Sequence, residues 1–254
     1  MNPIILYKNI FDSPIPPTAT DTADGYDVLN LLDMRSYTYW QAANAGTKYI
    51  TIDCSTPKTA DCLSIVGHNL KTSEAVISLE SSTDNASWTE RIAGFTPETD
   101  LALLKTFNTA TARYWRVKIV TATIAPRIAV IMSGEKIEFP YPPETPYIPY
   151  SETVELDSAR SKAGHLLGAL IHHKPIEIRA QFTVLSRTWI FDKWLSFWDD
   201  HGSKLYPFFY AWDKDAYPEH VYFVSCSEKM RYQTPLSIGT YVDNINLEME
   251  GIRL

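Results

Sequence analysis

The sequence predicts a mainly β chain in two parts: an antiparallel sandwich, then a sheet with one packed helix. Three observations carry that prediction. Apolar and polar residues alternate in short runs from Tyr49 to Val120, and again from Ile176 to Met249. The apolar spacing turns helical once, between Ile190 and Trp198. A proline-rich break from Glu138 to Ser151 separates the two textures.

In chain order, residues 1–20 read as an N-terminal arm, because Pro14, Pro16 and Pro17 forbid regular structure there. The sandwich is placed at 21–138. Ile50 and Ile52 alternate with Thr51 and Asp53, Ile77 and Leu79 with Ser78 and Glu80, and Trp115, Val117 and Ile119 with Arg116 and Lys118. Period two puts one set of side chains on one face of a strand, so each run is half-buried against a common core. Turn-forming clusters such as Ser55-Thr56-Pro57 and Thr83-Asp84-Asn85 separate the runs. Several short strands punctuated in this way predict a sandwich.

Residues 139–150 read as a linker in extended, polyproline-like chain packed on its neighbours, with prolines interleaved among Tyr141, Tyr147 and Tyr150. An α+β domain is placed at 151–254. Ile176, Ile178, Ala180, Phe182 and Val184 alternate with polar residues, predicting a strand. Ile190, Trp194, Leu195, Phe197 and Trp198 then follow helical spacing. Ser186 or Thr188 is suited to cap that helix, and Gly202 to its C′ position. Strands follow around 207–212 and 221–226, and a last one carries Ile245, Leu247 and Met249. If this last strand lies at a sheet edge, it is a template for pairing with a neighbouring subunit.

Composition narrows the function. The 254 residues suffice for a sizeable core without metal or disulfides. Aromatics reach 13%, which suits β-structure and buried contact surfaces. The net charge of −7, with no basic stripe, speaks against nucleic-acid and membrane-surface binding. No apolar run approaches the roughly 20 residues that span a bilayer, and the N-terminus lacks signal-peptide features. Cys54, Cys62 and Cys226 have no zinc-site spacing. Buried free thiols are the expectation, although spacing leaves a Cys54–Cys62 bridge open.

Chemistry-bearing residues are few. His68 has no partners in a triad pattern and is expected to hold a turn. His172 and His173 are adjacent on a strand and therefore point to opposite faces, which argues against a shared metal. Asp213, Asp215 and Glu219 read as a solvated turn rather than an acid–base pair held across a cleft. No phosphate-cradling glycine motif is present. The chain is expected to be no enzyme, with no cofactor and no metal. Trp115 shares its apolar side with Val117 and Ile119 and reads as core. The candidate contact residues for a glycan or a protein are Asp84, Asn85 and Trp88, on a loop at a sandwich end. Packing is the preferred reading of Trp88 even there. Trp189, Trp194, Trp198 and Trp212 read as core between helix and sheet, with interface anchoring as the alternative.

Three signatures carry a family resemblance: Leu63-Ser64-Ile65-Val66-Gly67-His68-Asn69-Leu70, Ser81-Ser82-Thr83-Asp84-Asn85-Ala86-Ser87-Trp88, and Arg113-Tyr114-Trp115-Arg116. Together they resemble the galactose-binding-like, discoidin-type sandwich over roughly 21–138. The stretch Asp33-Met34-Arg35-Ser36-Tyr37-Thr38-Tyr39-Trp40 is similar to that group's Asp-Gly-Asn-x-x-Thr-x-Trp loop, departing at Met34 and Arg35. That loop helps hold calcium in some members; a cation at Arg35 argues against such a site here.

The second half resembles a distal or minor tail protein of bacteriophages. The resemblance rests on the order of an aromatic helix (Trp194 to Gly202), Tyr206-Pro207-Phe208-Phe209-Tyr210-Ala211-Trp212-Asp213, Val221-Tyr222-Phe223-Val224 and the acidic terminal strand Leu247 to Gly251. It implies a tail-tube-like domain forming a six-fold ring that extends the tail tube. It also implies contacts with tube, hub and tape-measure proteins, and a place in the virion tail tip after assembly in the host cytoplasm. The outward sandwich would then contact neighbouring proteins or a host surface glycan. The alternative is a glycan-binding receptor-recognition protein in which the sandwich does the main job.

Overall fold

The structure, a computed structural model, describes residues 2–227, 231–233 and 241–252. Met1, Arg253 and Leu254, at the limits of the expected arm and C-terminal domain, lie outside these.

Two long bent strands organise the sandwich. β4 (Gly46–Val66) and β7 (Leu103–Thr121) are antiparallel, and their register shifts between Asp53 and Lys58 and between Ala60 and Cys62. Ser55 takes up the bend at φ 61°, its amide held by Asp53 Oδ1 at 2.8 Å. Before the bend, β4 pairs with the end of β7, which pairs with β5 (Val76–Ser82), which pairs with β6 (Thr89–Phe95). β2 (Thr18–Ala19) lies along the other side of β4. After the bend, β4 runs between the start of β7 and β9 (Val130–Gly134). The bends fold one sheet into two layers. Between them lie Ile50, Ile52, Leu79 and Trp115, as their alternation predicts, together with Leu63 and Ile65, all fully buried. Each contributes about 1.5–3 kcal/mol by leaving water. The short strands β3 (Trp40–Gln41) and β8 (Arg127–Ile128) pair with each other.

Residues 1–20 are not a separate arm. β1 (Ile4–Leu6) lies inside the C-terminal sheet, between β10 (Ile137–Glu138) and β15 (Phe208–Ala211). The sheet continues through β16 (Val221–Cys226), β18 (Tyr241–Ile252), β14 (Pro175–Ser186) and β11 (Ser151–Glu152), with β17 (Arg231–Gln233) also on β18. The sandwich is therefore inserted between two neighbouring strands of this sheet. β18 pairs on both sides and is not an edge, so it offers no free template to a neighbouring subunit.

The two halves share a core. Ile4, Leu6, Phe209, Ala211 and Val221 pack against Cys62, Val66, Leu104, Val130 and Met132 of the sandwich. The opposite faces of the same C-terminal strands, Ile5, Phe208, Tyr210 and Val224, pack towards the helix. Gly134 sits where a Cβ would stand 2.3 Å from the Lys8 carbonyl oxygen, so only glycine admits this close approach.

The helical segment runs from α1 (Arg187–Trp189) through a π turn at Ile190–Trp194 into α2 (Leu195–Asp200). Ser186, one of the two predicted caps, accepts the Trp189 amide at 3.2 Å. Trp194 and Phe197 are buried on the sheet, with Trp189, Trp198 and Trp212 partly buried around them. Gly202 is not a left-handed C′ residue. A Cβ there would meet Trp198 at 2.9 Å, and the left-handed position falls to Leu205 (φ 57°). Val184 departs from its predicted inward place. It stands at φ 57° between Thr183 and Leu185, which keep the register of the rest of the pair, and Leu185 takes the buried site.

Residues 139–150 are strapped onto the sheet rather than free. Phe139 stacks on Phe182 with ring centroids 4.0 Å apart, and the Glu144 amide donates to the Gln181 carbonyl at 2.8 Å. Beyond the strap, β12 (Glu155–Arg160) and β13 (Leu166–His173) form a two-stranded hairpin of their own. Every residue of these two strands is exposed.

Candidate functional site

The predicted contact residues Asp84, Asn85 and Trp88 sit together on one turn, where the Asp84 carboxylate and one face of the Trp88 ring are already engaged. Asp84 Oδ1 accepts the amides of Ser87 at 2.8 Å and Ala86 at 2.9 Å, and the Ser82 hydroxyl at 2.8 Å. Those hydrogen bonds, the Ser87 amide first, hold its carboxyl well below the usual range. Asn85 occupies the left-handed turn position at φ 59°. The Arg116 guanidinium lies 4.0 Å over the Trp88 ring and 4.5 Å over Tyr49, and pairs with Glu80. This end of the sandwich is a braced turn.

The opposite loop cluster has a different character, and the Gly67-His68-Asn69 signature builds it. Gly67, at φ 67°, passes within 2.6 Å of Ala129 Cβ as measured from an added Cβ. His68 is buried; its Nδ1 accepts the Leu70 amide at 3.3 Å and stands 3.8 Å from Asp100. Burial drives its pKa down to about 4, so it is neutral at ordinary pH. Asn69 ties two loops: its Nδ2 donates to the Ala125 carbonyl at 3.0 Å and its Oδ1 accepts the Arg127 amide at 2.8 Å.

Arg127, positioned in this way, reaches over the Tyr39 ring at 5.2 Å, and Tyr39 stacks on Tyr26 at 4.9 Å with planes 19° apart. Hydrogen bonding with Tyr39 raises the Tyr26 phenol above its ordinary pKa. The loop before Tyr39 is shaped by Asp33, which accepts the Arg35 amide at 2.9 Å and the Thr38 hydroxyl. Met34 holds φ 59° at the position where the resembled loop has glycine. Asp33 is thus committed to its own loop. From it projects Tyr37, 75% exposed. Sequence reasoning missed Tyr26, Tyr37, Tyr39 and Arg127. Tyr37 and Tyr39 lay inside the quoted Asp33 to Trp40 stretch, but nothing in it separates an exposed tyrosine from a packed one.

The remaining candidates are engaged structurally. His172 pairs with Asp157 at 2.9 Å and His173 with Glu155 at 3.3 Å. Asp213 accepts the Ala216 amide at 3.1 Å within a turn. Cys54, Cys62 and Cys226 are buried free thiols, pushed up by burial, Cys54 to about 11 and Cys226 to about 12. Among the described residues no cluster of three or more His, Cys, Asp or Glu side chains is arranged to hold a metal ion. No helix among them is long and apolar enough to cross a membrane.

No protein family matches the chain, and no curated protein does. Among solved structures it is similar to chitosan-binding module 1 of a chitosanase/glucanase from Paenibacillus sp. IK-5 (17% identity, 50% of this chain and 98% of that one, TM-score 0.44). It is similar also to the CBM32 of AlyQ in complex with 4,5-unsaturated mannuronic acid (24% identity, 52% and 97%, TM-score 0.41). A third is CpGH89CBM32-6 produced by Clostridium perfringens (19% identity, 50% and 98%, TM-score 0.42). None of the three is a tail protein. The TM-scores are low, and the sandwich stands on its own strand register.

Proposed function

We propose that the protein is a non-catalytic glycan-binding component, in which the loop end of the sandwich meets a surface glycan and the α+β half carries the sandwich. The observation behind this reading is Tyr37, exposed on a loop already fixed by Asp33, two residues before Tyr39 of the Tyr26–Tyr39 stack under Arg127. A tyrosine gives a large, stiff contact surface with a polar tip, at low cost in conformational entropy. Its ring suits the C–H face of a sugar, while phenol and guanidinium groups reach hydroxyls. A loop that needs no reordering keeps the binding cost low. The test is a glycan array probed with the protein and with Tyr37→Ala.

One observation favours an added assembly role, that of a tail-tip component whose C-terminal half forms a ring. In the β12–β13 hairpin, Leu170 and Ile171 are neighbours in the strand and point to opposite faces, and with Leu166 and Leu167 all four are more than half exposed. A lone two-stranded hairpin is marginal in water, and apolar side chains on both faces call for a cover. On this reading the protein elutes as an oligomer in light-scattering chromatography, and Leu167→Asp with Ile171→Asp yields monomer. An unchanged monomeric mass for both proteins would remove it.

A further inference from the structure

We infer that the protein has a second saccharide subsite, a groove on the flank of the sandwich that takes an extended, uncharged, hydroxyl-rich chain. This inference rests on the glycan-binding reading above and shares no residue with the loop end. β6 pairs with β5, and the first half of β7 pairs with β4. These two strands run side by side without pairing to each other, and between them opens a groove of about 650 Å³. Its far wall is supplied by Lys136, Glu138 and Lys214 from beyond the sandwich strands. Residues beyond the sandwich strands thus complete one wall of the groove. Its volume lies within the range of about 300–1,000 Å³ usual for ligand sites. Four consecutive residues of each strand line it, about 13 Å of chain, which is more than one sugar ring needs.

The charge pattern selects the class of ligand. Lys136 is neutralised by Asp61 at 3.0 Å and Lys214 by Asp215 at 2.6 Å. That leaves Arg91, which donates to the Ser81 hydroxyl at 2.7 Å, and Lys105, over the Phe95 ring at 5.0 Å, against Glu90 and Glu138 in the lining, an equal count of each sign. An anionic chain would meet the two carboxylates and a cationic chain the two bases. A hydroxyl both donates and accepts, so a neutral polyol satisfies both signs at once. Asn108 adds an amide with the same double capacity, and Phe107, partly exposed and braced on Trp115 at 6.1 Å, offers a ring for the apolar face of a sugar.

The experiment is calorimetric titration of the full chain with cellohexaose, maltohexaose, mannohexaose and N-acetylchitohexaose, their disaccharides, and oligogalacturonate and chitosan oligomers as charged comparators. Three proteins are compared: wild type, Tyr37→Ala, and the surface double variant Lys105→Ala with Asn108→Ala. A neutral hexasaccharide is expected to bind best. The double variant should weaken it by about tenfold, a typical loss for a central contact, while leaving the disaccharide affinity unchanged. Tyr37→Ala should abolish disaccharide binding. Equal hexasaccharide affinity in wild type and double variant, or preference for a charged oligomer, overturns the groove while leaving the loop end intact. Absence of any saccharide binding overturns both.

Discussion

The Arg116 guanidinium lies 4.0 Å over the Trp88 ring and covers one face of the indole. That contact supports packing as the role of Trp88. Trp88→Ala should cost about 0.5–2 kcal/mol in a urea unfolding curve, the value of a cation–π contact on a partly exposed ring, and leave glycan binding untouched. Loss of binding with unchanged stability would return the ligand site to Trp88.

The Lys48 ammonium is buried and held by Asp21 and by Asn44 Oδ1 at 2.8 Å. Removing one partner of a buried pair strands the other, at about 3–5 kcal/mol where both are fully buried. The Asp21 side chain is 27% exposed, so Asp21→Ala should cost less, about 2–3 kcal/mol. Pairing it with Lys48→Met should recover much of the loss. A denaturant midpoint unmoved by Asp21→Ala would show the pair to be idle.

His68 predicts a specific pH dependence. Its folded pKa, about 4, is below its ordinary 6.5, because burial disfavours the charged ring. A depressed histidine leaves stability intact above pH 6.5. Stability is then lost as pH falls towards 4, where the unfolded chain takes up the proton first. The difference corresponds to roughly 3 kcal/mol. His68→Gln should flatten this part of the stability profile. His201 is lowered in the same direction and persists in the variant as an internal control. An identical slope in both proteins would contradict the assignment.

The second half of β4 predicts how the protein melts. Leu63 and Ile65 point into the sandwich core, while Cys62 and Val66 point into the core shared with β1 and β15. Neither half can unfold without exposing that strand, so calorimetry should give one transition with matching calorimetric and van't Hoff enthalpies. Two separate peaks would mean that the shared core does not couple the halves.

The same strand explains what the sequence could and could not reveal. Where one face is wet, alternation is legible: Ile50 and Ile52, and Trp115, Val117 and Ile119, lie where their period puts them. Cys62-Leu63-Ser64-Ile65-Val66 is a continuous run buried on both faces, and that loss of alternation was the one local sign that the sandwich is seated on another layer. The place of β1 beside Phe208–Ala211 is set by partners some two hundred residues away and leaves no local mark. The β12–β13 hairpin was missed because the doublets Leu166-Leu167 and Leu170-Ile171 put apolar side chains on both faces, so neither period appears. At the loop end, His68 was legible as a turn-former. The partnership of Tyr39 with Tyr26 and Arg127 arises only when three separate loops converge.

The most direct measurement is a glycan array probed with wild-type protein and with Tyr37→Ala, both confirmed to be equally stable. The loop-end account predicts specific signal from wild type, lost by at least about tenfold in the variant. Equal signal from both proteins, or none from wild type, would contradict it.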